Sequence, residues 1–138
     1  MLEPNTANLK YTFPKSERLH SKKLIQELFD KGSSFYSYPF KVLVLPNPDE
    51  DCPNHQVLIS VSKRKFKRAV DRNLIKRRIR ESYRLNKQIL YSNENVKTPQ
   101  LIAYIYTGKE IPTYQFIEVK LSKSLKRLIV EVEKANRS

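Results

Sequence analysis

Apolar residues recur along this chain with two periods, and the switches between them lay out its elements. Over residues 21–31, SKKLIQELFDK, Leu24, Ile25, Leu28 and Phe29 stand at helical spacing. Ser21 is a suitable N-cap for that helix, and Gly32 reads as its left-handed C-terminal stop. Residues 38–45, YPFKVLVL, are β-branched and aromatic, and Pro39 suits a strand start or a sheet edge. The turn-rich run at 46–54, PNPDEDCPN, leads to a second strand at 55–62, HQVLISVS, so the two read as a hairpin with a long loop. A segment without Gly or Pro predicts a helix from about Lys67 to about Leu90. Beyond a polar linker, residues 100–107, QLIAYIYT, predict a strand buried on both faces. Pro112 and Thr113 open a last helix to about Ala135, with Phe116, Val119, Leu121, Leu125, Leu128, Ile129 and Val132 facing inward. The expected fold is α+β: a small single-domain, two-layer α/β sandwich of order α-β-β-α-β-α over residues 13–138, behind a loose polar tail at 1–12.

Length and cysteine usage narrow the class. A chain of 138 residues buries roughly two-thirds of its unfolded surface, enough for one core. Cys52 is the only cysteine, which excludes an intramolecular disulfide. The start of the chain, MLEPNTANLKYTF, lacks the pattern of a signal peptide, and no apolar run approaches the ~18 residues of a membrane helix. A cytoplasmic protein without a membrane partner is expected.

Charge changes the picture most. Lys and Arg number 27 against 14 Asp and Glu, for a net charge of +13 and a pI near 9.9. The cations concentrate in FKRAVDRNLIKRRIRESYRL, residues 66–85. Turned at ~100° per residue from Val70, the residues Lys76, Lys87, Arg80, Asn73, Arg84 and Arg77 fall between about 240° and about 340°. Val70, Leu74, Leu85, Ile89, Ile75, Ile79 and Leu90 spread over roughly the other half. Arg72 sits near a border. Arg78 lands inside the apolar arc and must snorkel out or reach a partner at a sheet edge. The cationic strip runs some 20 Å from about Asn73 to Lys87, and Lys63, Arg64, Lys65, Lys67 and Arg68 extend it upstream. A solvated charged face is the ordinary origin of such a run. Here the acids that would pair with the strip are expected off it, Glu81 on the apolar side and Asp71 near the N-terminus. An RNA or DNA backbone is the expected counter-charge.

Protein-borne chemistry finds little support. His20 and His55 are the only histidines, and neither shares a segment with another catalytic group. Cys52 and His55 have a metal-like spacing without a second pair of ligands. Asp49, Glu50 and Asp51 read as a solvated turn, and two glycines cannot make a phosphate loop. No catalytic residue, dedicated metal, cofactor or small-molecule substrate is expected.

The basic segment resembles the signature of the bacterial ribonuclease P protein subunit, broadly A-x-x-R-N-R-I-K-R-x-x-R-E-x-x-R. Ala69, Arg72, Asn73, Ile75, Lys76, Arg77, Arg80, Glu81 and Arg84 stand at the matching spacings. FPKSERL at 13–19, LFDKG at 28–32 and LISVSKR at 58–64 are similar to further family segments. The third residue of the Arg-Asn-Arg core is Leu74 here, which removes one family RNA contact and leaves Arg78 to take over its role. The resemblance implies a monomeric protein that binds a large catalytic RNA, whose holoenzyme removes 5′ leaders from precursor tRNA. It implies that the RNA performs hydrolysis with Mg²⁺, that the protein grips the leader in a cleft between sheet and first helix, and that the β-α-β crossover is left-handed. Aromatic and basic residues available for the cleft are Phe29, Tyr36, Tyr38, Phe40 and Lys41, of which Phe29 and Phe40 read equally well as core. Two other readings stand beside it: a ribosomal or other structural RNA-binding protein, and a DNA binder. The latter lacks a preceding helix and turn, and lacks dimerisation heptads.

Overall fold

In the computed structural model, which describes residues 12–49 and 51–137, helices cover both faces of a four-stranded sheet. Helix α1 (Lys22–Lys31) is followed by strands β1 (Ser33–Ser37), β2 (Phe40–Pro46) and β3 (Gln56–Val61). Helix α2 (Ala69–Asn86) continues through Lys87 into the single turn α3 (Gln88–Tyr91), then β4 (Gln100–Tyr106) and α4 (Tyr114–Arg137). A 3-10 turn at Lys15–Glu17 precedes α1. The architecture is the expected α+β sandwich, with one strand and one helical turn more than the pattern predicts. All but Thr12 of the expected tail lies outside the described residues, as does Glu50.

The strand order β1-β2-β4-β3 corrects the expected hairpin. Strands β2 and β3 do not pair; β4 lies between them, antiparallel to β2 and parallel to β3. Leu101, Ile102, Ala103 and Tyr104 are all fully buried, and a strand apolar on both faces gains most from a central position. The hairpin of this fold is β1–β2, with Ser33 opposite Val44 and Ser37 opposite Phe40. Strand β1 escapes a pattern search because SSFYS sends only Phe35 to the core from an edge position.

Alternation along the strands sorts two cores. Phe35, Phe40, Val42, Val44, Ile102 and Tyr104 meet Ile75, Ile79 and Tyr83 of α2 and Ile117, Leu121, Leu125 and Leu128 of α4. On the opposite face, Leu43, Leu101 and Ala103 pack with Leu28 of α1 and with Leu19, so α1 adds a partial third layer. The inward stripe of α4 is centred on Ile117, which leaves Phe116 and Val119 exposed rather than buried. The N-cap at Ser21 forms as expected, its side chain accepting from the Leu24 N–H at 3.3 Å. Gly32 does not adopt the left-handed region: its φ of −69° and ψ of 151° are open to any residue. It is needed for space, because a Cβ there would run into the Leu28 carbonyl and lie 3.2 Å from that of Val44.

Candidate nucleic-acid interface

The buried arc of α2 is narrower than the apolar pattern suggests. It is centred on Ile75, Ile79, Ser82 and Tyr83, about 120–220° from Val70. Val70 and Leu85 are therefore exposed, and Leu74 is half-buried at the border. Glu81 falls near 20° on the same wheel and is exposed too. It pairs with Arg84 at 2.5 Å, and this contact holds its carboxyl below the usual range. The expectation that no acid reaches the strip is thus corrected at one position. Among the described residues, Lys76, Arg77 and Arg80 have no carboxylate partner. With Asn73 and Arg84 they form a cationic face about 17 Å long. Unpaired cations side by side repel one another until an anion arrives, and a phosphate backbone supplies several at once.

The upstream connector is built to present charge. Ser62 Oγ accepts from the N–H groups of Arg64 and Lys65 at 3.1 and 3.3 Å, which folds the chain into a turn after β3. Phe66 is buried against Tyr106, with ring centroids 6.1 Å apart, and pins that turn to the core. Lys63, Arg64, Lys65, Lys67 and Arg68 all remain exposed around it. Arg72 also works within the fold: its Nη1 donates to the carbonyls of Phe66 and Lys67 at 2.7 and 2.9 Å, clasping the connector to α2. Arg78 reaches the Pro112 carbonyl at 2.5 Å and so is tied to the loop before α4 rather than free to replace an RNA contact at position 74.

Lys87 leaves the strip altogether. Its side chain is 2% exposed, and its ammonium donates to both Glu17 oxygens at 2.7 and 2.9 Å and to the Thr12 carbonyl at 2.6 Å. On the same wheel Lys87 falls at about 260°, just beyond Tyr83 at the edge of the buried arc, and Glu17 covers it there. Its partner lies seventy residues away, where no local pattern could find it. Beside this pair, burial lowers His55 to about 4, and its Nδ1 accepts from the Gln100 N–H at 2.9 Å. His55 is a neutral structural group.

A second candidate surface lies on the sheet face that α1 only partly covers. Register places Tyr36 opposite Lys41, Lys41 opposite Ile105, and Ile105 beside Ser60, one row crossing all four strands. At ~4.8 Å per strand that row is about 15 Å wide. Tyr36 and Lys41 are exposed, and Ile105 and Ser60 half-buried, whereas the next row, with Leu43 and Ala103, lies under α1. Phe29 is 46% exposed on the flank of α1, and Tyr38 is exposed at the β1–β2 turn. Phe40 is not part of this surface. Its side chain is on the opposite face, fully buried, with its ring edge-on to Tyr104 at 5.3 Å. Ile105 and Ser60 were invisible as surface residues because their exposure depends on where α1 ends. Lys65 Nζ donates to the Thr107 carbonyl at 2.8 Å, joining the basic connector to the end of β4.

A small α/β sandwich with a cationic helix face and an open sheet face carrying Tyr36 and Lys41 belongs to the class of RNA-binding proteins. The family model for ribonuclease P matches residues 13–132. The chain is 35% identical over 126 residues to the ribonuclease P protein component of Porphyromonas gingivalis, covering 89% of this chain and 90% of that one. It is 32% identical over 120 residues to that of Chlorobium phaeobacteroides, covering 79% and 82%. The RNase P protein of Staphylococcus aureus superposes with a TM-score of 0.66 at 29% identity, over 83% of this chain and 96% of that one. That of Thermotoga maritima gives 0.64 at 27%, over 80% and 96%. The chain belongs to the ribonuclease P protein component family, and so to the protein part of an endoribonuclease holoenzyme whose partner is the ribonuclease P RNA. Among the described residues, no helix is long and apolar enough to cross a membrane.

Proposed function

We propose that the α2 face and its connector bind the catalytic RNA of ribonuclease P while the open sheet face holds the single-stranded 5′ leader of precursor tRNA. The observation that carries this reading is the pair of surfaces: an arginine face suited to phosphates, and a basic-aromatic row suited to unstacked bases. Arg77 and Arg80 supply planar, multidentate donors for a folded RNA backbone. Tyr36, Tyr38 and Lys41, with Phe29 exposed on α1, combine stacking area with positive charge, as a single-strand path requires. Connecting them, Lys65 and its neighbours let one RNA assembly touch both. Hydrolysis of the phosphodiester falls to the RNA with its bound Mg²⁺, and the protein contributes RNA stability and substrate grip. A monomeric, cytoplasmic subunit follows from the same reading.

Comparing a precursor tRNA with its leaderless product tests it. The protein should raise the affinity of the reconstituted particle for the precursor more than for the mature tRNA. Equal effects on the two would remove leader binding from the account.

A further inference from the structure

Past the end of the open row stands an aromatic cluster that the arginine face does not explain. Tyr36, Tyr38 and Phe116 are 55%, 55% and 36% exposed. They touch edge to face, with centroids 6.4 Å apart for Tyr36–Tyr38 and 6.3 Å for Tyr38–Phe116. Together with Thr107, Ile111 and Pro112 they line a concavity of about 730 Å³. Clustered exposed rings around a concavity mark a binding surface more often than a structural one.

The walls are held in place by hydrogen bonds of the protein itself. Thr107 donates from its N–H and its hydroxyl to the Pro39 carbonyl, each at 2.8 Å, and its hydroxyl lies 3.1 Å from that of Tyr36. Tyr106 OH donates to the Glu110 carbonyl at 2.7 Å, and Arg78 secures Pro112. Positive charge surrounds the rings: Lys120 Nζ lies 5.6 Å from the Phe116 centroid, Lys109 lines the concavity, and Lys65 reaches its edge at Thr107. Among the described residues, Glu110 is the single acid in the lining.

We propose that this pocket takes one unpaired base of single-stranded RNA, stacked on the Tyr38–Phe116 pair, with Lys109 and Lys120 meeting the flanking phosphates. Continuity identifies the occupant, because Tyr36 is both a wall of the pocket and the outer residue of the open row. The inference rests on the reading of that row as a single-strand path and adds a base site at its end.

The full chain is titrated with a labelled oligouridylate of about eight nucleotides and, separately, with a fully paired RNA hairpin. Phe116→Leu and Tyr38→Leu should each weaken oligouridylate binding about fivefold or more, the effect of losing one stacked base. Phe116→Tyr should retain wild-type affinity, and hairpin binding and the salt slope should not move. Unchanged oligouridylate affinity in both leucine variants would overturn the base site alone and leave the cluster to a protein partner. Hairpin binding without oligouridylate binding by the wild type would remove the single-strand path and the pocket together. Urea midpoints close to wild type establish that the surface variants fold.

Discussion

Replacing Lys87 with methionine separates a buried structural lysine from a phosphate-binding one. Methionine keeps the length and apolar bulk of the side chain and removes the ammonium. Three hydrogen bonds are lost with it, two to Glu17 and one to Thr12. The Glu17 side chain is 7% exposed, so its carboxylate is left without its cation in a site that water hardly reaches. Breaking one side of a buried ion pair costs about 3–5 kcal/mol. Against a total stability of about 5–15 kcal/mol this is a large fraction, equivalent to a fall in Tm of about 10–20 °C at this chain length. Urea unfolding followed by circular dichroism reads the loss directly. Removing both charges, as Glu17→Leu with Lys87→Met, should restore most of it, because apolar replacement of a whole buried pair is near neutral. The salt slope of RNA binding should match wild type. A loss below about 1 kcal/mol, or a slope reduced by about one phosphate, would refute the assignment of Lys87 to the core.

Arg77→Ala combined with Arg80→Ala should weaken RNA binding and flatten the log–log salt slope by about two, a slope left unchanged showing that this face meets solvent. The unfolded chain binds a proton at His55 near 6.5 and the folded chain only near 4, so stability should fall as pH drops through that window. His55→Asn should flatten that limb in pH-dependent urea midpoints, though at neutral pH it costs stability of its own. Gly32→Ala should destabilise by about 1–3 kcal/mol through steric overlap with the Leu28 carbonyl, measured as a lowered denaturation midpoint with an unchanged m-value.

Local chemistry made much of this molecule readable and non-local contacts hid the remainder. Ser21, the apolar face of α1 and the long basic helix follow from spacing and capping, which act within a few residues. The place of β4 between β2 and β3 follows from competition among strands for the centre of the sheet, and HQVLISVS does not encode its neighbour. Arg77 and Arg80 were legible because an uninterrupted helix fixes their angle. Lys87 was not, because the carboxylate that holds it inside, Glu17, lies seventy residues earlier in the chain. Arg72 and Arg78 show the same limit in smaller form: each is anchored by backbone carbonyls whose positions only the folded chain defines. Tyr36 and Lys41 were found by residue type, and the row that unites them with Ile105 and Ser60 needed the register.

In the proposed division of labour, these basic and aromatic surfaces serve a catalytic RNA and do no hydrolysis themselves. Its most direct measurement is the rate of 5′-leader removal from a precursor tRNA by the ribonuclease P RNA at low Mg²⁺, with and without the purified protein. Stimulation by the wild type, diminished by Arg77→Ala with Arg80→Ala, together with no cleavage by the protein alone, is the predicted result. A rate indifferent to the protein, or cleavage by the protein without RNA, would contradict it.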